Sequence, residues 1–166
     1  MDKKATDIVH SCERYIGQEV NTYETPGVPG SVLGANEGAP VDIDVYRSLV
    51  GKLMFFSTKI GPKQANAVRD LSRHMSNPGE DHWKAMKRAV GFVKGMKLKG
   101  IKMSKPVELR MATLCDSDHA KDPVTRKSVG GDLHTLGGCL TAFSSRGQKT
   151  VSLSSTESEY KKMYET

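Results

Sequence analysis

The hydrophobic period of this chain changes once, just after Gly100, and that change limits what the chain can fold into. Upstream, apolar residues recur at the helical spacing of about 3.6. They form the sets Tyr46, Leu49, Val50, Leu53, Phe56, then Val68, Leu71, Met75, then Trp83, Met86, Val90, Val93, Met96. Downstream, Val107, Leu109, Met111, Thr113 and Cys115 alternate with Glu108, Arg110 and Ala112, the two-residue period of a strand ending at Asp116. Helices and strands in separate runs predict an α+β fold, because a parallel α/β sheet would alternate them.

Local signals place the element ends. Asp42 or Asp44 can cap a helix running to about Thr58, Pro62 suits the first position of a second helix ending near Ser76, and Asn77-Pro78-Gly79-Glu80 opens a third. Residues 128–136 and 139–145 read as strands joined by Gly137-Gly138, a hairpin turn, with Val151 to Leu153 continuing the last of them. Ser154-Ser155-Thr156-Glu157 offers a capping box for a final helix. Before all this, Thr6 to Glu24 holds a short helical pattern weakened by Gly17, and Thr25 to Pro40 is broken throughout by Gly and Pro. The division expected is an irregular N-terminal segment and Gly/Pro linker over 1–43, a helical region over 44–105, and three antiparallel strands with a helix over 106–166.

Charge follows that division. The net charge of +6 is the sum of seven acidic and three basic groups in residues 1–43, fourteen basic and four acidic in 44–105, and eight of each in 106–166. On the third helix Trp83 and the methionines belong to the apolar stripe and read as core. Lys84, Lys87, Arg88 and Lys94 occupy the remaining faces and are expected to meet solvent or a polyanion, a candidate phosphate-backbone surface.

The three cysteines, Cys12, Cys115 and Cys139, are widely spaced and show no paired motif, which argues against a disulfide framework or a zinc site. No apolar run approaches the length of a membrane span or a secretion signal. An intracellular chain, cytoplasmic or nuclear, is the expectation.

Two stretches carry chemistry. Cys115-Asp116-Ser117-Asp118-His119-Ala120-Lys121-Asp122-Pro123 puts acidic groups at a strand end, and Thr156-Glu157-Ser158-Glu159-Tyr160 puts two glutamates in the opening turns of a helix. Carboxylates gathered from two elements are what a Mg²⁺ site for phosphoryl transfer is built from. In order and wording these stretches resemble the start of the ribonuclease H domain in the pol polyprotein of copia-type LTR retrotransposons. Tyr46 to Thr58, Leu71 to Pro78 and His82 to Arg88 resemble the region just downstream of the same family's reverse transcriptase core.

The resemblance implies a thumb or connection over 44–105 and a partial RNase H-like domain over 106–166. Asp116 and Glu159 would be catalytic, Mg²⁺-binding residues, and the partners would be an RNA-DNA hybrid or other nucleic acid and the rest of a pol polyprotein. Asp118, Asp122 and Glu157 read equally as turn or cap residues. The family's further aspartates lie beyond the matched stretches, so neither nuclease nor polymerase activity is expected of these 166 residues; a stand-alone nucleic-acid or pol-binding module is the alternative. Departures from the family pattern at His119, Lys121, Asp132, His134, Lys161 and Lys162 read as decay, each costing about 1 to 3 kcal/mol if truly buried, with a divergent lineage that repacked as the alternative. His119, Asp132 and His134 also invite a rival metal-site reading, in which Asp132 and His134 share a face and nothing fixes His119 beside them.

Overall fold

The computed structural model describes residues 3–36, 38–96, 101, 103–105, 108–122 and 125–165. They divide into two compact units, Met1–Gly100 and Ile101–Thr166.

The first unit is helical. Helix α1 spans Lys3–Ile16, α2 Ile43–Lys59, α3 Ala65–Ser72 and α4 Glu80–Gly95, with a 3-10 turn, Pro62–Gln64, leading into α3. Asp42 is the cap of α2: its carboxylate accepts from the N–H groups of Asp44 and Val45 at 2.9 and 3.1 Å. Helix α4 starts differently from the expectation. Gly79 is its N-cap, the Gly79 N–H donates to His82 Nδ1 at 2.9 Å, and Asn77 instead accepts from Asn36 Nδ2. Tyr46, Leu49, Leu53 and Phe56 of α2, Val68 and Leu71 of α3, and Met86, Val90 and Val93 of α4 form one buried core, against which Trp83 packs.

The N-terminal segment, expected to be irregular apart from a short helical pattern within Thr6 to Glu24, carries the 14-residue helix α1, and it contributes to this core. Val9, Cys12 and Val20 are buried there, and α1 packs on both α2 and α4. Gly17, at φ 74°, ends the helix in the left-handed region instead of breaking it.

In the second unit β1 (Met111–Asp118), β2 (Val129–Leu136) and β3 (Cys139–Gly147) form an antiparallel sheet in that order, and α5 (Ser155–Glu165) packs on β1 and β2. Gly137 and Gly138 both take positive φ, as a two-residue hairpin turn of the favoured twist requires. Ser154 Oγ accepts from Glu157 N at 3.1 Å, and Glu157 reaches back to Leu153 N at 2.7 Å, closing the expected box one residue early. Val151 to Leu153 do not extend β3; Leu153 is 92% exposed. Val107, the start of the expected first strand, lies outside the described residues, and β1 begins at Met111 and runs to Asp118, so Leu109 is not part of it and the strand ends two residues beyond Asp116.

The two units differ in what they bury. Among the described residues every buried apolar side chain belongs to the helical unit, whereas the sheet unit buries Ser128, Gln148, Ser152, Ser158 and Lys162. Leu114 and Leu133 lie open on the sheet.

Candidate functional site

The structure brings together the two elements that carry the candidate carboxylates. Ser117 of β1 and Ser158 of α5 share a hydrogen bond of 2.7 Å, and these residues adjoin Asp116 and Glu159 in sequence. Side chains alternate along a strand, so Ser117 faces α5 and Asp116 lies on the opposite face. Asp116 and Glu159 are both exposed, and Asp116 Oδ1 accepts from the Ser117 N–H at 2.8 Å. Among the described residues no group of three or more His, Cys, Asp or Glu side chains is placed to hold a metal ion.

The weaker candidates have local duties. Asp118 pairs with Lys121 at 2.8 Å and Asp122 accepts from Thr125 N at 3.1 Å. Glu157 is the capping residue of α5, held below the usual carboxylate range by Lys161 first and then by the Leu153 N–H.

The rival metal site is not assembled, because its donors are spent on one another and on the backbone. His119 Nε2 lies 3.0 Å from Ser152 O, while His134 contacts Thr113 Oγ1 at 3.0 Å through Nδ1 and Asp132 Oδ2 at 3.2 Å through Nε2. Asp132 Oδ1 is taken by Lys162 Nζ and Ser144 Oγ. The Asp132 and Lys162 side chains are 9% and 5% exposed, so this is a buried ion pair. Burial works to raise the Asp132 carboxyl, and the hydrogen bonds from Lys162 and Ser144 outweigh it, leaving the group below its usual range.

For Asp132 and Lys162 this corrects the reading of the polar replacements as decay in favour of repacking. Asp132 on β2 and Lys162 on α5 complete each other, and Gly130 leaves room for the lysine stem: a Cβ there would lie 3.0 Å from Lys162 Cγ and closer still to Cδ. Thirty residues separate the pair in sequence, and no local pattern links them.

The basic residues of α4 fall into two groups. Lys84 is exposed, with Asp81 and Glu80 at 3.2 and 3.4 Å, and Lys87 sits 6.0 Å over the Trp83 ring. Such exposed pairs are weak and exchange readily with solvent. Arg88 and Lys94 do not meet the expectation of facing solvent or a polyanion. Arg88 stacks 4.7 Å over Tyr23 and donates to Thr25 Oγ1 at 2.8 Å; Lys94 donates to Glu13 at 3.0 Å, Glu19 at 2.5 Å and Val20 O at 3.1 Å. The acidic N-terminal segment and the basic helix thus neutralise part of each other. The segregation of charge along the sequence was the available signal.

Among curated proteins, the chain is 34% identical over 143 residues to the retrovirus-related Pol polyprotein from transposon RE2 of Arabidopsis thaliana. It is 37% identical over 117 residues to that from transposon TNT 1-94 of Nicotiana tabacum. The matches cover 86% and 69% of this chain. The chain belongs to the copia-type Pol family. This Pol-family chain spans about a tenth of the length of those polyproteins, 10% and 9%. It is also 35% identical to secreted RxLR effector protein 161 of Plasmopara viticola over 115 residues, which are 69% of this chain and 81% of that protein. No family model and no solved structure matches it. Among the described residues no helix is long and apolar enough to cross a membrane.

Proposed function

We propose that this Pol segment joins the end of a reverse transcriptase region, residues 44–105, to the first part of an RNase H-like domain, residues 106–166, and that its activity alone is binding of an RNA-DNA hybrid without cleavage. The observation that carries the reading is the packing of β1 on α5 through Ser117 and Ser158, which sets the strand of Asp116 beside the helix of Glu159. In an assembled site of this kind Mg²⁺ supplies charge stabilisation and an activated water. The part of this chain is to offer Asp116 and Glu159 from two packed elements, but Asp116 lies on the face of the sheet away from α5, so the two carboxylates do not meet on one ion within this chain. Lys84 and Lys87 provide a sequence-independent attraction for phosphates.

The test is Mg²⁺-dependent cleavage of a labelled RNA-DNA hybrid by the purified chain beside an Asp116→Asn control, with binding measured at several salt concentrations. Salt-sensitive binding without cleavage is expected. Cleavage that Asp116→Asn abolishes would show that the carboxylate site is complete and overturn the binding-only reading, and binding indifferent to salt would remove the basic-surface reading.

A stand-alone binding module is favoured by one observation, the likeness to an effector protein of which the chain covers 81%. The separate apolar core of the helical unit supports it. Under this reading, hybrid binding survives disruption of the sheet unit.

A further inference from the structure

Residues 19–25 run irregularly across α4, and three sets of contacts fix their path. Tyr23 N donates to Gly91 O at 3.3 Å, a Cβ at Gly91 would overlap Asn21 O and come within 2.7 Å of Tyr23 Cδ2, and one at Gly95 would lie 3.1 Å from Tyr23 O. Gly91 and Gly95 are one turn apart and so form a bare lane on the helix that the segment occupies. Beside the lane the segment engages Arg88 through the Tyr23 ring and Thr25 Oγ1. It engages Lys94 through Glu19 and Val20 O, with Glu13 of α1 completing the set.

The covering of Arg88 is incomplete in a telling way. Its Nε is buried without a hydrogen-bond partner, although a guanidinium is built to use all its donors. A buried donor left unsatisfied costs free energy that a phosphate oxygen could recover, and a phosphate matches the guanidinium fork better than one hydroxyl and a ring face. Lys94 meets two carboxylates, which stand where phosphates of a polyanion would.

We propose that residues 19–25, with Glu13, are an autoinhibitory strap: they occupy Arg88 and Lys94 of α4, and a nucleic-acid backbone competes with them for these cations. The inference rests on the nucleic-acid-binding reading of α4. Of the α4 cations Lys84, Lys87, Arg88 and Lys94, the first two meet the hybrid in the resting chain; once the strap lifts from the glycine lane, Arg88 and Lys94 join them.

The experiment measures affinity for a short labelled RNA-DNA hybrid across a salt series, using the full chain. Gly91→Ala changes no charge and forces the strap off the lane. It is expected to tighten binding several-fold at low salt and to steepen the log-log salt slope by about 1 to 2, for one or two more phosphates neutralised. Adding Lys94→Ala should remove about half of that gain, leaving the share of Arg88. Glu13→Gln with Glu19→Gln should reproduce it, whereas Asp7→Asn with Asp44→Asn, an equal change of charge elsewhere, should not match its slope. Circular dichroism checks folding; if Gly91→Ala is unfolded, the glutamate pair and its charge control decide the matter. Unchanged slopes in the strap variants, while Lys84→Ala with Lys87→Ala still weakens binding, would overturn the strap and leave the binding reading standing. If Lys84→Ala with Lys87→Ala has no effect, the binding reading falls and the strap with it.

Discussion

Replacing Lys162 by methionine keeps most of the stem volume and removes the charge that neutralises Asp132. The carboxylate would then remain 9% exposed, with Ser144 and His134 as its remaining neighbours described above. Breaking a buried pair from one side costs about 3 to 5 kcal/mol, and the two remaining neighbours place this case near 3. At about 0.05 to 0.15 kcal/mol per residue, a unit the size of Ile101–Thr166 has roughly 3 to 10 kcal/mol of stability. Lys162→Met should therefore remove between about a third and all of the sheet unit's stability. Asp132→Leu combined with Lys162→Met removes both charges and should recover most of the loss.

Amide hydrogen exchange in β2 and β3 reads the sheet unit, and the single tryptophan, Trp83, reports the helical unit separately during urea unfolding. Acid gives a second signature. In the natural chain the depressed Asp132 carboxyl contributes stability that is present above the ordinary carboxylate pKa of about 3.9 and is lost as pH falls through its folded value. In Lys162→Met burial is no longer opposed by the lysine, so protonation relieves the variant, and its deficit should shrink on acidification from neutral pH. A single variant that loses less than about 1 kcal/mol, or a double variant no better than the single, would refute the account of a mutually satisfied pair.

Other outcomes follow from the helical unit. Tyr46 is fully buried and its hydroxyl donates to Leu71 O at 3.0 Å; Tyr46→Phe should cost about 1 kcal/mol in urea unfolding followed by Trp83 fluorescence. Burial pushes the Cys12 thiol up to about 11, so iodoacetamide at mildly alkaline pH should modify exposed Cys115 in the folded chain and reach Cys12 only after unfolding, as peptide mass mapping would show. Glu157→Ala removes the acceptor of the Leu153 N–H while the residue-157 N–H still reaches Ser154 Oγ, and it should fray α5, costing about 0.5 to 1 kcal/mol in the sheet unit, again read by hydrogen exchange.

Much of the architecture was legible because its signals are local. The change of period separated helices from strands, Asp42 and Ser154 marked two helix starts, and Gly137-Gly138 marked the hairpin. Helix α1 was less legible, since Gly17 looks like a breaker in a string of letters and acts as a terminator in the fold. The opening of α4 was misread for a similar reason: Asn77 is a good cap by type, yet its side chain is engaged with Asn36 forty-one residues away, and His82 serves Gly79 in its place.

The sequence by itself determined the α+β class, the Pol-type motifs around Asp116 and Glu159, and the opposite charge of the first two regions, because these depend on residue type and spacings of two to four. Only the tertiary structure decided that Lys94 answers to Glu13 eighty-one residues away, that Lys162 answers to Asp132, and that Ser117 rather than Asp116 faces α5. The physical reason is common to all three. A side chain's charge and size belong to the residue, but its partner is whatever the packing of distant elements leaves within hydrogen-bond reach, and burial then makes that partner obligatory.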